Sequence, residues 1–426
     1  MTIKKIHQLL LASNGICTDT RKIKKNTIFF ALKGDRFNGN TYAEKALELG
    51  ASYVIIDEAE YKITEKHILV DNVLKTLQNL ALYHREYLDI PIIALTGSNG
   101  KTTTKELINS VLSSNFKTTA TVGNLNNHIG VPITLLSMTK ETQIGIIEMG
   151  ANHLNEIAFL CTIAKPDYGY ITNIGKAHLE GFGSLEGVLK GKTELYDYLK
   201  KYSKLVFLNL EDKKLLEASA GMDIYNFSQS EISDVNMQLI DTTTSNVTIS
   251  YKNKTIYSNL IGEYNFTNIA AAITIGQYFK INPDQIKQAI ESYTPTNNRS
   301  QIIKKGKHTI ILDAYNANPT SMNAAIHNFA KLQYDSKIVF LGDMFELGSE
   351  SSLEHQKITD LISKTEVEKI FLIGNLFFNT ICSDSRIHKF KSYEDLKANW
   401  SLKDKKDTLL IKGSRGMKLE RILDLL

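Results

Sequence analysis

The stretch "IIALTGSNGKTTTKELI" (Ile92–Ile108) decides how the chain around it must fold. "IIALTG" reads as a buried strand. "KTTTKELINSVLSS" reads as a helix with Leu107, Ile108, Val111 and Leu112 on one face. A turn between strand and helix leaves backbone N–H groups unpaired at the positive end of the helix. Gly97 and Gly100 carry no Cβ, so an anion can approach that backbone, with Ser98 and Asn99 between them. Lys101 reaches β- and γ-phosphates, and the Thr102 hydroxyl, followed by Thr103, suits Mg²⁺. The usual phosphate loop is G-x-x-x-x-G-K-[ST], and here Leu95 stands at its first glycine. The segment therefore predicts a variant phosphate loop. The bland alternative, a polar turn before a solvated helix start, fits the strand–loop–helix setting less well.

Working outward, "IGIIEMG", "DYGYITNIG" and "KLVFLNL" repeat the apolar strand pattern with helical patterns between them. That alternation predicts a parallel sheet covered on both faces. "VTISYKNKTIYSNL" alternates about a Lys-Asn turn and predicts an antiparallel pair at the sheet's edge. Upstream, "TIFFAL", "YVIID" and "HILV" read as strands, "YAEKALELGA" as a helix ending at Gly50, and "LKTLQNLALYHREYL" as a helix running to Pro91. Downstream, "YTPTNNRS" (Tyr293–Ser300) is a polar break that predicts a hinge. After it "HTIILDAY", "KIVFLGDM", "KIFLIG" and "TLLIKGS" form a second, smaller parallel sheet. The reading is α/β throughout, in three domains: 1–88, 89–295 with the phosphate loop, and 296–426.

The 426 residues, 42% hydrophobic and 23% charged, suffice for several cores, and a net charge of +4 is too small for a nucleic-acid-binding stripe. Cys17, Cys161 and Cys382 lie too far apart for a metal spacing or a disulfide framework, which fits a reducing cytosol. "MTIKKIHQLLLASNG" lacks the long apolar core of a signal peptide, and no run approaches the ~20 apolar residues of a membrane helix. A cytoplasmic monomer without membrane insertion is expected.

Further motifs carry a resemblance. "TVGNLNNHIGVP" (121–132), "IIEMGANHLNEI" (146–157), "ITNIGKAHLEGFGS" (171–184), "GVLKGKTEL" (187–195), "NLED" (209–212) and "LIGEYNFTNIAAA" (260–272) follow the phosphate loop in order. "DAYNANPTSMNAAI" (313–326), "VFLGDMFELG" (339–348) and "KGSRGM" (412–417) come later, and "CTDTRKIKKNTIFFALKGDRFNGNTYAEKALELGA" (17–51) precedes them all. Together they resemble the ATP-dependent Mur ligases over nearly the whole chain. The third segment resembles the branch that adds D-alanyl-D-alanine to UDP-N-acetylmuramoyl-tripeptide, and the first resembles the UDP-sugar-binding domain of that branch and of its tripeptide-forming sibling. Two departures stand out: Asp19-Thr20-Arg21 where Asp-Ser-Arg is common, and Tyr264 where a His-Asn pair usually has His.

The resemblance implies a three-domain architecture: an N-terminal UDP-binding domain, a central P-loop-type parallel sheet and a C-terminal Rossmann-like domain. It also implies chemistry. The γ-phosphoryl of ATP passes to a peptide carboxylate, an amine attacks the acyl phosphate, and phosphate leaves. Fixed cations aimed at the phosphates should dominate such catalysis. Lys101, Glu148, His178 and Lys192 are the catalytic expectations, with Thr102, Glu148, His178 and Lys192 about Mg²⁺. A carboxylate at a strand end suits that ion by itself, whereas imidazole is an unusual ligand for it. His178 therefore rests on the resemblance. So does Lys192, expected to be carbamylated, since its bland reading is a solvated helix charge. Asn268 is expected at the adenine, and Arg299, Asp313 and Asn316 at ATP. Asn126, Asn127, Asn318, Ser321, Lys412 and Arg415 are expected around the peptide substrates, and Thr20, Arg21 and "FNGN" at the UDP-sugar. For Asn268, Asn318 and Ser321 the plain alternative is helix capping.

Rival readings are a sibling ligase adding diaminopimelate or lysine, a folate polyglutamylating enzyme, and an ATP-binding regulator without chemistry. "YNANP" and "GDMFELG" speak against the first, the UDP-sugar-like start against the second. The joint presence of Lys101, Thr102, Glu148, His178 and Lys192 speaks against the third.

Overall fold

The computed structural model describes residues 1–240, 246–296, 298–334, 336–399 and 407–426. Asn297, within the expected hinge, lies outside them. The N-terminal part holds a four-stranded parallel sheet in the order Ile16–Cys17, Ile28–Phe30, Tyr53–Ile56, His67–Leu69. The strand at Ile16–Cys17 is too short to leave an apolar signature. The central sheet has seven strands. From one edge they are Val235–Asn236, Ile224–Ser228, Leu205–Asn209, Tyr168–Ile171, Ile92–Thr96, Ile144–Glu148 and Thr118–Ala120. Every residue of Ile92–Thr96 and of Ile144–Glu148 is buried, as the unbroken apolar runs require of strands covered on both faces. Parallel pairing sets Leu95 against Glu148, so the loop that leaves Thr96 starts beside that carboxylate.

Two expectations need correction. Asn246–Tyr251 and Lys254–Ile261 do form an antiparallel pair. They do not join the central sheet, however, and build a separate three-stranded sheet with Gln238–Ile240. The C-terminal sheet is six-stranded rather than a plain parallel one. Its order is Gln301–Lys305, His308–Asp313, Thr408–Lys412, Lys337–Gly342, Lys369–Ile373, Ile387–Phe390, with the Gln301–Lys305 edge antiparallel to its neighbour. Gln301–Lys305 alternates half-buried and exposed side chains, a weaker signal than the solid runs beside it.

The joint between the first and central parts is built from the long helix Val73–Leu88. Asn72 caps its start by accepting from Lys75 N at 2.7 Å, and Asp89 ends it in the left-handed region. Near that end the buried Arg85 donates to the carbonyls of Ala164 and Lys165 and to Asp167 Oδ2. The same carboxylate oxygen accepts from Ile92 N at 3.0 Å, which fixes where the phosphate-loop strand begins. A single apolar cluster runs through the N-terminal, central and C-terminal sheets, including Ile6, Ile28, Ile147, Val206, Val339 and Leu410.

Two buried histidines sit at this joint. His84 Nε2 faces the carbonyl of Met138 at 2.9 Å and must carry the proton. Its Nδ1 therefore accepts from His7 Nε2, also at 2.9 Å. Burial, and then the neighbouring His84, bring His7 down to about 4, and burial lowers His84 as well. Unfolded histidine titrates near 6.5, so between about 6.5 and 4 the unfolded chain binds a proton that the folded chain refuses. Stability present above pH 6.5 is lost as pH falls through this window, by at most about 1.4 kcal/mol per pH unit for each histidine. Denaturant titrations at a series of pH values will show that slope. His7→Gln, which keeps a donor towards His84 but does not titrate, will flatten it.

Candidate active site

The phosphate loop is shaped by what lies beneath it. Gly97 adopts φ 139° and Gly100 φ 79°. A Cβ on Gly97 would lie 2.0 Å from Thr172 Oγ1, and one on Gly100 2.4 Å from Asn268 Oδ1, so no other residue fits either position. The strand end at Thr172 and Asn173 braces the turn. Thr172 Oγ1 and Asn173 Nδ2 both donate to Asn99 O, at 2.6 and 3.0 Å, and Ser98 Oγ bonds the backbone of Gly175. Lys101 Nζ folds back on the carbonyls of Gly97 and Ser98.

Glu148, 1% exposed, ends the neighbouring strand. Its Oε2 accepts from Thr102 Oγ1 at 2.9 Å and its Oε1 from Asn126 Nδ2 at 2.8 Å. The sequence placed these three residues in one site, and the structure brings them into one hydrogen-bonded group. Asn127 instead caps the helix Gly130–Leu136, accepting from Ile129 N and Gly130 N. Asn268 commits both ends of its amide within the protein, accepting from Thr104 Oγ1 and donating to Asn265 Oδ1. It props the loop from below.

Lys192 corrects the bland reading of its helix. It is 0% exposed, and its Nζ donates to Ala151 O at 2.9 Å beneath the ring of Phe182. Burial, and then the charge of Lys101, push its amine well below the ordinary lysine range. Glu194 also turns inward, accepting from the backbone N–H groups of Asn155 and Ala158. His178 sits at φ 53°, and its Nδ1 pairs with Glu346 of the C-terminal part. Glu346 lies in the quoted "GDMFELG" without having been given a role, because nothing in sequence spacing reports a partner 168 residues away.

The C-terminal part supplies the other wall. Asn318 Nδ2 donates to Asn99 Oδ1 at 2.7 Å, tying the two parts together at the loop itself. Asn318 and Ser321 also form a reciprocal capping box at the start of the helix Pro319–Lys331. Arg299 stacks over Tyr315 at 3.8 Å, with Arg415 5.9 Å from the same ring. Asp313, expected at ATP, pairs with the buried Lys412, which also reaches the carbonyl of Asn316. Asn316 is exposed and bonds the next backbone N–H. Arg415 pairs with Glu420. Tyr264, standing where His is usual, bonds Ser300 at 2.9 Å and so spans the hinge. Thr20 and Arg21 stand in a short 3-10 turn of the first part, with Arg21 paired to Asp19 and largely exposed. In "FNGN", Asn40 is buried and holds Asp57.

Burial lowers Lys101, Glu148 opposes that shift, and Arg299 adds to it, so these charges share one cleft. Arg299 Nε and Asn99 Nδ2 are buried there without a hydrogen-bond partner among the described residues. Several cations, unspent donors and a glycine-rich helix start suit a polyphosphate. A hydroxyl and a carboxylate side by side suit Mg²⁺, which takes few protein oxygens and completes its shell from phosphates and water.

Comparison with known proteins agrees. Residues 95–276 match the Mur ligase middle domain, 298–415 the glutamate ligase domain of Mur ligases, and 13–85 the Mur ligase family catalytic domain. The UDP-N-acetylmuramoyl-tripeptide--D-alanyl-D-alanine ligase of Bacillus subtilis is 36% identical over 96% of this chain and 92% of its own length. The chain belongs to the Mur ligase family. The Escherichia coli ligase of the same name is 30% identical to this Mur ligase, over 96% of this chain and 93% of its own. A crystal structure of MurF from Acinetobacter baumannii superposes on this Mur ligase with a TM-score of 0.85 at 29% identity, covering 98% and 97% of the two chains. The Thermotoga maritima MurF ligase, at 24% identity and a TM-score of 0.83, shares the same fold.

The double duty of Asn318 gives a test. Asn318→Ala loses the cap and will lower stability by about 1 kcal/mol in denaturant titrations. Asn318→Asp keeps the cap while losing the donor to Asn99, and will retain nearly all the stability.

Proposed function

We propose that this Mur ligase joins D-alanyl-D-alanine to UDP-N-acetylmuramoyl-tripeptide at the expense of ATP, giving the pentapeptide precursor of peptidoglycan. It works as a cytoplasmic monomer of three domains, 1–88, 89–295 and 296–426. The observation that carries this reading is the cationic cleft at Gly97–Thr102, walled by Glu148 and closed by Asn318 and Arg299. The chain-long likeness to D-alanyl-D-alanine-adding ligases supplies the identity of the acceptor.

The loop N–H groups and Lys101 bind the phosphates of ATP and hold the γ-phosphoryl towards the tripeptide carboxylate. A carboxylate oxygen attacks phosphorus and ADP leaves. The dipeptide amine then adds to the acyl carbon, and orthophosphate departs carrying that oxygen. Both steps gather negative charge, which Lys101 and Arg299 offset. Thr102 and Glu148 would hold Mg²⁺, which neutralises phosphate charge when bound. Asn316 and Arg415, exposed on the C-terminal part, would meet the substrates, and the first domain would bind the UDP-sugar through Thr20 and Arg21. The seam of Asn99 with Asn318 and of Lys176 with Glu354 keeps the acyl phosphate from water.

Burial pushes the Lys192 amine well below the ordinary lysine range, which favours the unprotonated form that reacts with CO₂, and its carbamate would turn a buried base into an anion beside the cleft. On this reading Lys192→Ala abolishes turnover and short carboxylic acids restore part of it. Absence of any rescue removes the carbamate from the scheme. For the reaction itself, incubation with ATP, Mg²⁺, both peptide substrates and ¹⁸O in the tripeptide carboxylate will give the pentapeptide by mass spectrometry and one ¹⁸O in phosphate. Glu148→Gln will lower kcat by at least about 10²-fold.

A further inference from the structure

One lysine of the phosphate-loop helix is left over by this scheme. Lys105 lies one helical turn beyond Lys101, on the same face, and is 3% exposed. An ammonium is rarely buried unless it is paired and hydrogen-bonded. Its Nζ donates to the main-chain oxygen of Thr121 at 2.6 Å and lies 3.8 Å from Glu106 Oε1. Burial lowers its pKa, Glu148 and Glu106 oppose the shift, and Arg299 adds to it, so Lys105 faces the same cleft.

Thr121 is the point where the edge strand Thr118–Ala120 passes into the turn that carries Asn126. Its N–H donates to Ile146 O at 3.0 Å, and its Oγ1 accepts from Glu148 N at 3.0 Å. Five residues on, Asn126 holds the Glu148 carboxylate. Lys105 thus grips the one residue that is bonded to Glu148 on one side and leads to Asn126 on the other.

We propose that Lys105 is a positioning residue. Through Thr121 it sets the turn 121–126, and with it the orientation of the Glu148 carboxylate towards the metal that accompanies the nucleotide. The inference rests on the nucleotide reading above. Lys105 touches no substrate in this scheme, so its effect is confined to how well Glu148 serves the divalent cation.

Calorimetry of ADP binding to the full chain, with and without Mg²⁺, tests this without turnover. Wild type is expected to bind ADP more tightly when Mg²⁺ is present. In Lys105→Met that gain shrinks at least tenfold, while the melting temperature without nucleotide changes little and KM for D-alanyl-D-alanine holds. An undiminished Mg²⁺ gain in the variant overturns the inference and leaves the nucleotide reading intact. A wild type that shows no Mg²⁺ gain overturns both. A lower melting temperature with a normal Mg²⁺ gain means that Lys105 is structural only, and also overturns it. Should Lys105→Met fail to fold, Lys105→Arg carries the test. It keeps the charge but its broader head displaces Thr121, so the gain falls at least threefold, and an unchanged gain is the overturning result.

Discussion

A buried carboxylate at the end of a central strand is the constraint on which the rest of this site depends. Glu148 is out of water, and a charge so placed must be paired and hydrogen-bonded or it neutralises itself. The chain answers with the hydroxyl of Thr102, the amide of Asn126, and the charges of Lys101 and Lys105. They come from two places in the sequence, the helix start at 101–105 and the turn at Asn126. What brings them together is the parallel register that sets Leu95 against Glu148, so that the loop strand and the carboxylate strand end on the same side.

The C-terminal part matters because of what it brings to that end of the sheet. Asn318 meets Asn99, Lys176 meets Glu354, His178 meets Glu346, and Tyr264 meets Ser300. All four contacts cross between the central and C-terminal parts, and three of them start from loops that follow central strands. The seam and the phosphate site therefore share the same loops, an arrangement that would let the proposed acyl phosphate form away from water. Tyr264 shows how a departure from the family pattern is absorbed. A phenol hydroxyl takes the position and finds a hydroxyl partner across the hinge.

Much of this was legible beforehand, for identifiable reasons. Fully buried strands leave solid apolar runs, so Ile92–Thr96, Ile144–Glu148 and Lys337–Gly342 could be seen. Ile16–Cys17 has only two residues, Thr118–Ala120 is mostly polar and only half-buried, and the edge strand Gln301–Lys305 has no buried residue, so none of the three leaves such a run. The hairpin at 246–261 was readable because its turn is local, but its choice of sheet is a tertiary matter. In the site, Thr102 and Glu148 were legible from motif and strand end. The inward aim of Lys192 was not, since a helix charge looks alike whether it faces solvent or core. Lys105 had a signal in its four-residue spacing from Lys101. The pairings of His178 with Glu346 and of Asp313 with Lys412 had none, because long-range partners leave no trace in one sequence.

The antiparallel strand Gln301–Lys305 that closes one side of the C-terminal sheet has a bearing on how this enzyme behaves when crowded. An open sheet border is a template on which another chain can add itself by main-chain bonding. Here that border carries the exposed side chains of Lys304 and Lys305, one on each face. A second molecule laying its own copy of the border alongside would bring four ammonium groups together, and their repulsion opposes that edge-to-edge pairing.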